Sequence, residues 1–296
     1  MLNIYIKGIL LGIANIIPGV SGGTLALILK IYYKIINSIS EILKLTEIKK
    51  NLMFLTILAT GMLTSILLTA KIFKTYAFDN GIIEALLIVF FIGLAFGNIL
   101  TLKTEISIKE INSNTKISIK EINSNTKILN NLLFFIGMSI IVLFLILKES
   151  NIQLQSTIPK DKNSIKYYLL LISSGTISGA SMILPGISGS AMLLLLGFYK
   201  EIILIVSEFN IIFITIFAAA ATMGIITSIL IIKKIIDKHL NNFIYLSKGL
   251  IFGSILQMIL IVLKLNFKIG FTSFTSLGTS FMLGIFINKK LAEKYK

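Results

Sequence analysis

The chain has 296 residues, 55 % of them hydrophobic and only 14 % charged, with a mean hydropathy of +0.93. Apolar runs recur along the whole length, and the charge content is well below the roughly 25 % of a soluble domain, which excludes a soluble globular protein. The net charge of +15 comes from lysines that lie mostly between apolar runs, so it reads as topology and headgroup attraction, not as a nucleic-acid surface.

The predicted fold is an all-α polytopic membrane protein. In chain order, apolar stretches fall at about 2–17, 20–36, 52–73, 82–102, 129–147, 167–184, 187–206, 210–232, 243–263 and 271–287. The first runs directly into a Pro-Gly break with no small-residue cleavage site, so no cleavable leader is expected. Cysteine is absent, which excludes disulfides and thiolate metal sites. The longest polar interruption, 103–128, holds "SIKEINSNTKI" at 107–117 and again, unchanged, at 118–128. A perfect, lysine-rich tandem copy reads as a slippage duplication in a loop.

An older repeat organises the whole chain. "PGVSGGT" at 18–24 matches "PGISGSA" at 185–191; "TSIL" at 64–67 recurs at 227–230; "GLAFGN" at 93–98 matches "GLIFGS" at 249–254. Three pairs in one order, offset by 167, 163 and 156 positions, divide the chain into halves at 1–147 and 165–288, with a polar linker at 148–164. Each half holds five apolar stretches, and an odd number of crossings turns the second half upside down relative to the first, as in many secondary transporters. The first two stretches of each half, 2–36 and 167–206, are either full spans or the arms of a re-entrant hairpin. Arms of about 16 residues reach roughly 24 Å each, too long for half-spans lying end to end, which favours hairpins. The expected plan is one hairpin and three spans per half, with spans 52–73, 82–102 and 129–147, then 210–232, 243–263 and 271–287. The greater share of the lysines falls on the side that holds both termini, so both termini are expected in the cytoplasm.

Irregular backbone at membrane depth leaves N–H and C=O groups that must be satisfied by protein or by a polar ligand. Pro18 and Gly19, like Pro185 and Gly186, are the residues expected to break the helices as structural turns. A Gly-Ser-Gly turn opening a helix offers N–H groups and a hydroxyl, which suits an anion and phosphate in particular. The candidate phosphate ligands are Ser21, Gly22, Gly23 and Thr24 from the first turn and Ser188, Gly189 and Ser190 from the second. Asn15, one helical turn before Pro18, either orients the loop or touches the ligand. Lys7 is a further candidate charge near a hairpin end. "GILLG" (8–12), "GLAFG" (93–97) and "GLIFG" (249–253) read as small-residue helix contacts.

With Tyr32 following the first, "KGILLGIANIIPGVSGGTLALIL" and "SGASMILPGISGSAMLLLLGFY" resemble the polyprenyl-phosphate transporter family, with its doubled Pro-Gly-x-Ser-Gly motif, over nearly the whole chain. The resemblance implies a bacterial or archaeal plasma-membrane protein. Its role would be to return undecaprenyl phosphate, the lipid carrier of cell-wall synthesis, from the outer to the cytoplasmic leaflet. Lys30 and Lys34 depart from it, standing where a Gly and an acidic residue are expected around Tyr32. A small inorganic-anion carrier using the same turns is the alternative.

An enzyme is disfavoured. "GVSG" and "GISG" fit the Gly-x-Ser-Gly nucleophile pattern of intramembrane rhomboid proteases, but such a serine needs a base within reach. His239, the one histidine, falls in "KKIIDKHLNN", expected to be a solvated loop. A lipid phosphatase would want Arg and His on the phosphate, and the chain has no Arg. No catalytic residue, metal or cofactor is expected, and no nucleic-acid partner. Coupling to protons or another cation remains open, with Glu84 and Glu208 as candidate carriers. Oligomeric state is not legible.

Deleting residues 118–128 should leave expression and transport unchanged, because doubling a loop adds only about 0.6 kcal/mol of closure entropy. A clear loss of transport in reconstituted vesicles would show that the second copy has a function.

Overall fold

In a 54-residue helix, one residue leaves helical geometry: His239, at φ −139° and ψ 51°. A straight helix of that length would run about 80 Å against a hydrocarbon core of about 30 Å, so this residue divides two arms. The computed structural model describes residues 1–16, 20–72, 81–105, 124–149, 159, 161–162, 164–265 and 270–294. They form α1 (Leu2–Ile16), α2 (Gly22–Ile28), α3 (Tyr32–Leu43), α4 (Ile48–Ile72), α5 (Gly81–Glu105), α6 (Ser124–Glu149), α7 (Ile165–Ile183), α8 (Gly189–Leu195), α9 (Tyr199–Ser207), α10 (Ile211–Lys264) and α11 (Phe271–Lys294). Every regular element among the described residues is a helix. Within them α5, α6 and α10 are long and apolar enough to cross a membrane. Residues 106–123, which hold most of the tandem copy, lie outside the described set, as do 150–158, 160 and 163 of the linker.

Three expectations need correction. The stretches 20–36 and 187–206 are each split into a seven-residue helix and a longer one, α2 with α3 and α8 with α9. The segment 233–242 is not a loop: α10 runs through it, and His239 is an exposed kink residue in a helix. Lysine and aspartate made it look like a connection, yet it lacks Gly and Pro. Ile232, Ile236, Leu240 and Ile244 keep a four-residue spacing and pack on the main core. The interruption at 37–51 is likewise mostly helical, since α3 continues to Leu43 and α4 begins at Ile48.

The splits have a common cause. At the end of α8 the Phe198 N–H reaches Leu193 O at 2.9 Å and the Gly197 N–H reaches Leu194 O, with Gly197 at φ 76°. This is the left-handed stop that favours glycine. At the end of α2 the same pair of bonds joins Ile31 to Ala26 and Lys30 to Leu27, and Lys30 takes the left-handed position at φ 55°. Thus α2–α3 and α8–α9 are built alike, although one uses a residue poorly suited to the geometry.

Glycines on facing helices set the packing. A Cβ on Gly8 would strike Leu58 O, and one on Gly61 would strike Tyr5 O, which joins α1 to α4; Gly179 against Ala221 O and Gly224 against Thr176 O join α7 to the first arm of α10 in the same way. The later helices cross between halves. Gly93 and Gly284 bring α5 onto α11, and Gly137 and Gly249 bring α6 onto the second arm of α10. The small-residue stripes are helix contacts, as their spacing suggested. The main core draws on both halves, from Leu11, Leu25 and Tyr32 to Ile229, Ile251 and Met258. Outward-facing Leu132, Phe135 and Leu143 on α6, Met223 and Ile231 on α10, and Phe271, Phe274 and Met282 on α11 stay exposed. Apolar exposure on this scale is that of a membrane protein.

Lys30→Gly should stabilise the fold by about 1 kcal/mol, because glycine occupies the left-handed region without a Cβ clash. Thermal unfolding in detergent checks this; a lower melting temperature would mean that the Lys30 side chain contributes more than its backbone costs.

Candidate functional site

Both broken segments come together, and the second is held by the first. The α7 helix ends at Ile183, and Leu184 turns to extended backbone at φ −70° and ψ 126°. Pro185 is fully buried and Gly186 takes φ +84°. A Cβ at Gly186 would strike Leu250 O, so the turn needs glycine for both its backbone angle and its fit. From the first half, Thr24 Oγ1 accepts the Gly186 N–H at 2.8 Å. Ser21 Oγ donates to Leu184 O at 3.4 Å and also accepts the Thr24 N–H as the α2 cap. Tyr32 Oη donates to Ile183 O at 3.0 Å.

Beside these turns lies a cavity of about 420 Å³. Asn15, Gly22, Gly23, Ser188, Gly189 and Ser190 line it, so six of the eight candidate ligands share one space. Ser21 and Thr24 do not: they border a cleft of about 10 Å³ with Phe91, Ala95 and Ser254, and their hydroxyls serve the second turn. Pro18 and Gly19 lie outside the described residues. Asn15 Oδ1 sits where a Cβ on Gly22 would come within 2.9 Å, so this side chain both packs on the first turn and borders the cavity. Ser188 Oγ and Ser190 Oγ are 2.8 Å apart at the cavity wall. Ser178 Oγ donates to Gly189 O at 3.1 Å, which anchors the start of α8. The positive φ values of the described glycines fall at Gly186 and Gly197, not at Gly22 or Gly189, whose role is close approach within a helix start.

The rest of the wall is mostly apolar, with Leu11, Ala26, Ile35, Ile36, Leu58, Met62, Met182, Ile187 and Ile225, and Tyr32 among them. Among the described residues that line the cavity there is no Lys, Asp, Glu or His. Lys7 is buried, but its ammonium donates to Leu29 O at 2.7 Å at the end of α2, where a cation complements the exposed carbonyls. Glu84 begins α5 and Glu208 follows α9, and neither borders the cavity. Among the described residues no group of His, Cys, Asp or Glu is arranged to hold a metal. Sequence reading missed the two methionines and Ile225 as wall residues. A signal was present: Met62 and Ile225 are related by the same 163-position offset as the "TSIL" pair.

The model of the undecaprenyl phosphate translocase-like family matches residues 11–272, and the chain belongs to that family. A polyprenyl-phosphate transporter of Vibrio cholerae is 27 % identical over 266 residues, covering 86 % of this chain and 76 % of its own. No solved structure matches the chain significantly. Both matches carry the names of transport proteins, not of enzymes.

The geometry separates the serines into two groups. Ser188→Ala combined with Ser190→Ala should leave thermal stability near wild type, because both hydroxyls face the cavity. Ser21→Ala should lower it by about 1 kcal/mol, the usual cost of losing a helix cap. Equal melting temperatures for the two variants would contradict this division.

Proposed function

We propose that the protein translocates polyprenyl phosphate, with undecaprenyl phosphate as substrate. It moves the lipid from the outer to the cytoplasmic leaflet of the plasma membrane and so recycles a carrier for cell-envelope synthesis. The observation that carries the reading is the cavity itself, a few polar groups in a mostly apolar wall. Ser188, Ser190, Asn15 and the backbone at Gly22, Gly23 and Gly189 supply neutral donors for a phosphate. Met62, Met182, Leu58 and Ile225 supply surface for the first part of a hydrocarbon tail. An inorganic anion would leave that surface without a partner. Family membership supports the same substrate class; the direction and the recycling role follow from the resemblance noted in the sequence.

The two halves act as inverted repeats, the segments around the turns are re-entrant hairpins, and both termini face the cytoplasm. The sequence repeat and the doubled helix plan support this reading. A phosphate monoester carries about one to two negative charges near neutral pH. Moving it inward opposes an inside-negative potential by roughly 2.3 kcal/mol per charge per 100 mV. The described residues of the cavity wall include no cationic side chain to offset that charge, which supports co-movement of protons or another cation with the lipid.

Reconstituted vesicles test the proposal. Uptake of outer-leaflet polyprenyl phosphate should be inhibited by farnesyl phosphate and not by inorganic phosphate at the same concentration. Ser188→Ala with Ser190→Ala should reduce it about tenfold or more, since hydrogen bonds to a charged group contribute about 1.5–3 kcal/mol each. Acidifying the outside should raise uptake. Inhibition by inorganic phosphate alone would favour the small-anion carrier, and indifference to both pH and potential would rule out coupling.

A further inference from the structure

Three side chains of the first half reach the backbone of the second turn. Tyr32, Ser21 and Thr24 of the first half all bond to backbone groups at residues 183–186 of the second. At the 167-position repeat offset their counterparts are Tyr199, Ser188 and Ala191. Tyr199 packs with the second apolar cluster, around Tyr167 and Phe198. Ser188 Oγ pairs with Ser190 Oγ at the cavity wall. Tyr199 and Ser188 keep the chemistry for a reciprocal clasp, but Ala191 has no hydroxyl to accept an N–H.

We propose that Thr24 is a positioning residue that latches the second turn and sets the resting conformation of the carrier. Thr24 is 5 % exposed and does not border the large cavity, so its hydroxyl acts on the Gly186 N–H and not on the ligand. Transport through a site shared by two related halves requires the halves to exchange roles. In the exchanged arrangement the clasp would be made by the second half and would lack the bond that Thr24 supplies. The two states are therefore unequal, and the one described is favoured by one hydrogen bond. This inference rests on the transporter reading with inverted halves, but not on which anion is carried. There is room for the missing hydroxyl: Ala191 borders a cleft of about 30 Å³ together with Gly186, Ser188 and Gln257.

Single cysteines at Met62 and at Ile225 serve as reporters, since both line the cavity and are related by the repeat offset. The full chain in vesicles is labelled from each side with a membrane-impermeant maleimide, without ligand. Thr24→Val keeps the shape and removes the acceptor, so it should shift the ratio of labelling between the two sides about fivefold toward the less accessible one. Thr24→Ser should restore the wild-type ratio. Ala191→Thr should shift the ratio in the same direction as Thr24→Val, by stabilising the exchanged state. Unchanged ratios in Thr24→Val and Ala191→Thr overturn the proposal; if Thr24→Val does not accumulate, Ala191→Thr alone decides. Failure of farnesyl phosphate to inhibit uptake would sink the substrate assignment while leaving these ratios as a separate result.

Discussion

Backbone that leaves the helix inside an apolar protein must have its N–H and C=O groups paired, and the turn at residues 183–186 is paired by side chains from the other half of the chain. Tyr32, Ser21 and Thr24 reach Ile183 O, Leu184 O and the Gly186 N–H. An unsatisfied buried group costs several kcal/mol, so these contacts allow the second turn to exist inside the apolar protein. They also fix where α8 begins, and with it the position of Ser188, Gly189 and Ser190 on the cavity wall. The site is thus a consequence of how one break is satisfied by the neighbour of the other.

That arrangement depends on helices approaching more closely than ordinary side chains permit. Lipid offers no hydrophobic drive for helix association, so close packing of backbones must supply the contact. The glycine pairs do this twice over: within each half for α1 with α4 and α7 with the first arm of α10, and across halves for α5 with α11 and α6 with the second arm of α10. The crossed pairs bind the two halves into one core. The cavity then opens where the apolar core meets the two polar turns, and the described residues of its wall carry no formal charge. Neutral donors bind a phosphate less tightly than lysine or arginine would. In the proposed role a carrier must release what it binds, and a wall whose described residues are uncharged is compatible with that need.

The sequence by itself determined the membrane class and displayed the recurrence of the Pro-Gly-x-Ser-Gly segments. Hydropathy and repeats are one-dimensional signals, and they survive without any knowledge of packing. The close helix contacts at Gly8, Gly93 and Gly249 were legible for the same reason, since a small residue at helical spacing has few other uses in lipid. Helix continuity through 233–242 was not legible: lysines and an aspartate look like a connection until Ile232, Ile236 and Leu240 are seen to share a face.

Tertiary structure alone decided which hydroxyls face the cavity. Ser21, Thr24, Ser188 and Ser190 read alike in sequence, as polar groups at a helix start. Ser21 and Thr24 are turned onto the second turn, while Ser188 and Ser190 are left on the wall. Nothing local distinguishes them, because the partner atoms of the first pair, Leu184 O and the Gly186 N–H, lie more than 160 positions away. A hydrogen bond between segments so distant is a property of the assembled fold, and the chain's local pattern carries no record of it.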